Sequence, residues 1–600
     1  MPYSHREDFP SNPRDKAHFY QPFSLEEWHQ SNFARKDELQ WFEDARYGMF
    51  IHFGLSTKEN KDLSWEVCYT RKAPDIGHGP YADEEWTQWP NNFYLEKFDA
   101  KKWVNLAKIC GFKYIVLIAK HHDGFHLWDT DESEFKITNT PFGRDMVKEV
   151  VEASHQIGMP IGLYYSQRDW HHPDYIPVDP HKVEEQERVQ WTLLQGFNSP
   201  IGARHHRYLE YQERVIRELC TRYGKIDIFW WDAAWWGGMF TADMWDAERI
   251  TRLIREWQPG ILLNNRCSVP GDFDTPEQRI GAFQNWRPWE SCVCLTETWS
   301  YSGTPAKTMK DLVNMLTATI CGDGNLLMSW GPHWNGEFDE VEVKRLEEFG
   351  AWINQHERAI YGTRGGPWKP GPWGGSVYRG STVYLHITHL VGEFFNVPEL
   401  PECSVLSAKI YNTGRGVTVE TRAGIIRLHI PLEIQDDLDT VIELELDTLA
   451  VEFHPVDSCG SSPFSDVYAY GYEYNGKILL RSCSLADTEI NPEVQLPLRT
   501  RGEHNPWVIF DLCTEINLTG VVLSLGDSSG SNANLHLYTS TDLEEWIDCG
   551  NVERTLNEIE ISSYKAGAWI PGRNVRYVKV QSVSCEPTNI DVLNFVGFAR

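Results

Sequence analysis

At 600 residues, with 41% hydrophobic and 24% charged residues, the chain has a globular make-up but is too long for one compact core, so about two to four domains are expected. A formal charge of −30 repels phosphate backbones and anionic lipid, which argues against nucleic acid and membrane partners; no run approaches the roughly 18 apolar residues of a membrane span. The N-terminus shows no basic region followed by an apolar run, and the 13 cysteines are odd in number and irregularly spaced. A reduced, cytoplasmic and bacterial setting is therefore expected, with no disulfide framework, and the CxC pair Cys292 and Cys294 lacks the second pair a zinc site would need.

From about residue 40 to 365, short apolar runs alternate with longer amphipathic stretches. The strand-like runs are "YGMFIHFG", "YIVLIAK", "PIGLYYS", "IDIFWWD", "GILLNN" and "NLLMSW". Helix-compatible segments such as "DAKKWVNLAKICG", "MVKEVVEASHQIG" and "AERITRLIREWQ" separate them. Continuous apolar strands between amphipathic helices predict a parallel sheet covered by helices, and about six such units favour a TIM-like (β/α) barrel. Neither GxGxxG after the first strand nor GxxxxGK[ST] is present, which removes the commonest nucleotide sites. After "GGPWKPGPWGG" the texture turns to short alternating strands, "VYLHIT", "SAKIYNT", "IIRLHIP" and "VIELELD"; a second break near "HPVDSCGSSPFSD" precedes another β-rich stretch. The expected architecture is a multidomain chain: a barrel with an N-terminal extension over 1–365, then two antiparallel β-sandwiches over 366–457 and 458–600.

Reactive groups of a parallel barrel gather at the C-terminal ends of its strands. Those ends carry His52, then His121, His122 and Asp123, then Tyr164 and "SQRDWHH", Asp232, and Asn264, Asn265 and Arg266. Such repeated delivery of polar and aromatic groups marks that face as a site. The paired histidines are open to three readings: metal ligands, satisfied core histidines, or hydrogen-bonding groups of a polar-substrate pocket. Adjacent strand residues point to opposite sides, and no His recurs at HExxH spacing, which disfavours the first. Histidine, tryptophan, tyrosine, asparagine and arginine around carboxylates suit a polyhydroxylated ring. Glycosidic cleavage needs two carboxyl groups, for which Asp232, Glu277 and Glu290 are the candidates.

The motifs "WFEDARYGMFIHFG", "AKHHDGFHLWDT", "YYSQRDWHHPDY", "FWWD", "NNR…GDFDTPE", "WESC…TWSY" and "GDGNLLMSWGP" occur in the order found in the α-L-fucosidases of glycoside hydrolase family 29, which the chain resembles over residues 25 to 455. The resemblance implies a retaining exo-α-L-fucosidase acting on fucosylated oligosaccharides or glycoconjugates without metal or organic cofactor. In that frame Asp232 is the nucleophile, and the acid/base is Glu277, ranked above Glu290. His52, Trp65, Glu66, His121, His122, Tyr164, Trp231, Arg266 and Trp299 contact the sugar. "DAAWW" and "TWSY" depart from the family pattern near the site and bear on the preferred aglycone. The last segment resembles a discoidin, galactose-binding-like module. A glycosidase for a related sugar such as a galactoside, and a non-catalytic lectin-like protein, are the alternatives. Oligomeric state is not set by the sequence.

Overall fold

The computed structural model describes residues 33–59, 62, 64, 81–175, 202–232, 242–267, 269–281, 283–285, 287–370, 373–388, 390, 393–422, 425–453, 455, 478–479, 493–494, 498–499, 507–526, 535–542, 545–560, 563–583 and 591–599. By internal contacts the chain divides into two compact units: Met1–Glu277, Gln284–Met309 and Gly324–Gly362 form one, and Gln278–Phe283, Lys310–Asp323 and Thr363–Arg600 the other.

The first unit is built on seven parallel strands: β1 (Tyr47–Ile51), β2 (Tyr114–Lys120), β3 (Ile161–Ser166), β4 (Ile228–Asp232), β5 (Leu262–Leu263), β6 (Glu290–Cys294) and β7 (Asn325–Ser329). Their order is β5-β4-β3-β2-β1-β7-β6, a curled, TIM-like sheet in which every pair of neighbours is consecutive in the chain except β1 and β7, which join the first strand to the last. Every residue of these strands is buried, as expected where both faces of a parallel sheet are covered. The edge strands β5 and β6 are spanned by residues 273–277, through parallel bridges of Phe273 to Asn264, Asp274 to Trp289 and Glu277 to Cys292. That irregular segment sets Glu277 between two strand ends.

Helices follow where apolar spacing and caps coincide. In α1 (Ala100–Ile109) the Asp99 side chain accepts from the Lys102 N–H, and Ala100, Trp103, Val104 and Ala107 form the buried stripe. In α2 (Met146–Ile157) Asp145 caps the start by accepting from Lys148 N, and Gly158, at φ 67°, ends it in the left-handed region. Further helices of this unit are α3 (Gly202–Thr221), α4 (Ala247–Trp257) and α5 (Glu340–Gln355).

Five of the six expected runs form full strands, and the sixth, "GILLNN", pairs only at Leu262 and Leu263 before the asparagines leave the sheet. The sequence reading missed β6. Its "ESCVC" opens on two polar residues and reads as loop, yet Glu290 is fully buried inside the curl. Gly48 makes room there: a Cβ at that position would lie 2.2 Å from the Tyr114 ring, whose hydroxyl donates to Glu290.

In the second unit β8 (Arg364–Gly365), β9 (Gly374–Arg379), β10 (Thr382–Ile387), β12 (Val405–Ile410) and β15 (Thr440–Leu446) form an antiparallel sheet, and β11 (Phe394–Pro398), β13 (Thr418–Arg422) and β14 (Ile425–His429) a second one. Val383, Leu385, Ile442 and Leu444 of the first join Phe395, Val397, Ile426 and Leu428 of the second in one buried cluster. A further antiparallel sheet runs through Leu498–Arg499, Asp591–Ala599, Trp507–Gly526, Ser563–Ser582, Leu535–Ser540 and Ile547–Asn551, with Glu553–Glu560 paired to Ser563–Ser582. The expected break near residue 460 lies outside the described residues.

Candidate active site

Strand alternation decides which side chains reach the inside of the curl. On β4, Trp230 and Asp232 share one face: the Trp230 ring stacks on Tyr164 at 5.6 Å and meets Phe50 at 5.0 Å. Trp231 takes the opposite face, against Phe229 at 4.7 Å and Tyr165 at 6.3 Å. Trp231 is therefore not brought to Asp232, and Trp230, two residues before the carboxylate, stands in its place. The period-2 rule applied to "FWWD" would have found it.

Arg266, buried to 2% exposure, organises the carboxylates. Its Nη1 lies 2.9 Å from Asp232 Oδ1 and 2.9 Å from Glu277 Oε2. Nε donates to Thr275 Oγ1 at 2.8 Å, and the guanidinium lies 4.5 Å from the Trp230 ring centroid. Tyr164 donates to the other Asp232 oxygen at 2.5 Å. Burial lifts the Asp232 carboxyl to about 6; Arg266 and the Tyr164 hydroxyl oppose the rise, and the charge of Glu277 adds to it. Glu277, with a quarter of its side chain exposed, faces the opening.

Glu290 sits deeper, at the N-terminal end of β6. It accepts from Tyr114 and, at 2.9 Å, from Trp230 Nε1, and burial raises it to about 7. Both of its oxygens thus serve the interior, beneath the Trp230 ring.

The histidines line the mouth. His52 Nδ1 lies 2.8 Å from Ser329 Oγ, and its ring sits 5.0 Å from Trp299 and 6.2 Å from Tyr164. His121 Nδ1 lies 2.6 Å from Ser64 Oγ, and its ring is parallel to Tyr164 at 5.6 Å. His122 Nδ1 lies 2.6 Å from Ser166 Oγ, with Nε2 4.0 Å from Asp232. Burial holds His52 at about 3 and pushes His121 and His122 well below the usual imidazole value, aided by the neighbouring positive groups, so all three rings are neutral. The serines carry no sequence signal, because their strands and loops come together only in the fold.

Trp299 belongs to this group through His52, while Trp65 and Glu66 lie outside the described residues. Asn264 ties β4 to β5, accepting from Trp231 N at 2.9 Å and donating to its carbonyl at 3.0 Å. Asp169 buttresses from behind: it pairs with buried Lys120 at 3.4 Å and accepts from Tyr211 and from the N–H groups of His171 and His172. His121, His122 and Asp232 each bring one donor atom within 4.8 Å of the others, the spacing of a cation site. The donor set fits a metal poorly, because both Asp232 oxygens are held by Arg266 and Tyr164 and the Arg266 guanidinium already supplies the positive charge beside that carboxylate.

A family described as Alpha-L-fucosidase matches residues 18–358, more than half of the chain and all the residues just placed around Asp232. The chain belongs to the alpha-L-fucosidase family. Among solved structures, alpha-L-fucosidase isoenzyme 1 from Paenibacillus thiaminolyticus is 31% identical, with a TM-score of 0.59 over 69% of this chain and 99% of that one. A family 29 alpha-L-fucosidase from Bacteroides thetaiotaomicron, trapped as a covalent intermediate with 2-fluoro-fucosyl fluoride, is 24% identical and shares the fold at a TM-score of 0.59, over 70% of this chain and 98% of that one. The fold likeness to the alpha-L-fucosidase of Vibrio sp. strain EJY3, 20% identical, has a TM-score of 0.65 and covers 96% of this chain and 100% of that one. No helix among the described residues is long and apolar enough to cross a membrane.

Proposed function

We propose that this chain is a retaining exo-α-L-fucosidase that hydrolyses α-L-fucosyl linkages of oligosaccharides or glycoconjugates, with Asp232 as nucleophile and Glu277 as acid/base. The observation that carries the reading is the shared Arg266 nitrogen. Two oxygens each 2.9 Å from one Nη1 can be no more than twice that distance apart. For this pair of oxygens that bound lies close to the ~5–5.5 Å carboxyl spacing of retaining enzymes, which suits direct attack by one carboxylate.

In the first step Asp232 attacks the anomeric carbon while the Glu277 carboxyl gives its proton to the leaving oxygen. In the second, Glu277 takes a proton from water, which displaces Asp232 and releases the sugar with its configuration retained. Arg266 and Tyr164 hold the Asp232 oxygens in place, and the Arg266 charge keeps the nucleophile ionised inside a buried site. His52, His121, His122 and Trp299 offer ring nitrogens and an apolar face to the sugar. Glu290, occupied by Tyr114 and Trp230, acts by supporting the floor under Trp230. The described cysteines are all free, which suits a reducing, cytoplasmic setting. The β-rich segments after residue 365 are read as two sandwich domains, the second discoidin-like.

Nitrophenol release from the aryl α-L-fucoside, set beside a panel of other aryl glycosides including the galactoside, tests the reading. Turnover of the fucoside that Asp232→Asn lowers by ~10³-fold or more supports it. Preferred turnover of another glycoside, or activity surviving in Asp232→Asn, overturns it.

A further inference from the structure

Each of two site histidines meets a serine whose single proton is already committed. Ser64 Oγ donates to Asp123 Oδ2 at 3.0 Å and accepts from Asp123 N at 3.0 Å. A hydroxyl has one proton and two lone pairs, so the remaining contact, to His121 Nδ1 at 2.6 Å, must be one in which the imidazole donates. On the other side of the mouth, Ser329 Oγ donates to the Trp299 carbonyl at 2.8 Å, a group that can only accept. Its contact with His52 Nδ1 at 2.8 Å therefore also requires an N–H on the ring.

We infer that Ser64 and Ser329 are positioning residues that lock His121 and His52 as Nδ1–H tautomers, so that each ring presents a bare Nε2 lone pair to the substrate. Because both rings are neutral, neither Nε2 can donate. The inference rests on the reading of this cleft as a sugar site and deepens it. Two sugar hydroxyls must act as donors here, and a sugar deoxygenated at either position leaves a buried lone pair without a partner. The reading of Ser64 holds while Asp123 is ionised; burial lifts that carboxyl to about 6, which sets the test at pH 8.

The tautomers are read directly by nitrogen NMR of histidine-labelled protein at pH 8, with the two rings assigned from His52→Gln and His121→Gln. Both are expected to show a protonated Nδ1 and an unprotonated Nε2. Ser329→Ala and Ser64→Ala should mix the tautomers of His52 and His121 respectively. Each should lower kcat/KM on the aryl fucoside by about ten- to a hundredfold, and shrink the penalty for one monodeoxy fucoside relative to wild type. Ser329→Thr, which keeps a hydroxyl, should restore the Nδ1–H pattern and most of the rate. An Nε2–H ring in the wild type overturns the inference, as do Ser→Ala variants with unchanged tautomers and an unchanged deoxy penalty. The spectrum needs no substrate, so absence of fucoside turnover would sink the proposed activity and leave the tautomer question answered.

Discussion

Asp232 and Glu277 meet at one nitrogen, Nη1 of Arg266, 2.9 Å from an oxygen of each. The arginine thus fixes the spacing of the two carboxylates and relieves the repulsion between them. It is itself held by Thr275 and by the face of Trp230, so the pair is built into the scaffold before any sugar arrives.

Small-molecule rescue separates the two carboxylates. Asp232→Gly with azide should yield the β-fucosyl azide, because azide then attacks from the face the nucleophile occupied. Glu277→Gly with azide should yield the α-azide, formed on the covalent intermediate by a second inversion. Proton NMR of the product distinguishes them, and the β-azide from the Glu277 variant would reverse the assignments.

Leaving-group dependence gives a second handle on Glu277. Its replacement by Gln should cost ~10²–10⁴-fold on natural oligosaccharides but far less on an activated aryl fucoside, whose phenolate departs without a proton. The same comparison on Glu290→Gln should show an equal loss on both substrates, together with a lower melting temperature, because Tyr114 and Trp230 lose an ionisable acceptor.

With Asp232 as the proposed nucleophile, the acid limb of kcat/KM should follow its carboxyl. A nucleophile must be ionised; with its carboxyl raised to about 6, activity should fall about tenfold per pH unit below that value. Glu277→Gln removes a negative neighbour and should move the limb to lower pH. Tyr164→Phe removes a donor to the carboxylate and should move it higher. Shifts in the same direction for both variants would contradict this electrostatic account.

The adjacent tryptophans should behave differently. Trp230→Phe removes the stacking partner of Tyr164 and Arg266 and the donor to Glu290, and is expected to lower kcat/KM by tenfold or more. Trp231→Phe faces Phe229 and Tyr165, so its effect should fall on thermal stability while kcat/KM stays within about twofold.

Gly48 is a packing test far from the chemistry. Its Ala variant would bring a Cβ within 2.2 Å of the Tyr114 ring, and the displaced ring carries the hydroxyl bound to Glu290. Destabilisation of about 1–3 kcal/mol or more is expected from denaturant unfolding.

Much of this protein is legible along the chain, because buried parallel strands and capped amphipathic helices write their periods into local sequence. The runs "YIVLIAK", "PIGLYYS" and "IDIFWWD" are strands β2, β3 and β4, and "DAKKWVNLAKICG" and "MVKEVVEASHQIG" are α1 and α2. The polar residues at those strand ends also name His52, His121, His122, Tyr164, Asp232 and Arg266, since a parallel sheet sends all its C-terminal ends one way. Strand β6 escaped because its Glu-Ser start leaves only the short Cys292–Cys294 apolar run, and the burial of Glu290 itself is met by hydrogen bonds from Tyr114 and Trp230 that only the fold supplies. Only tertiary structure decided which tryptophan faces Asp232, which glutamate shares Arg266, and which serines hold the histidines. Those choices depend on strand phase and on contacts between residues such as Ser64 and His121 or Ser329 and His52, far apart in sequence and neighbours only once the sheet has curled.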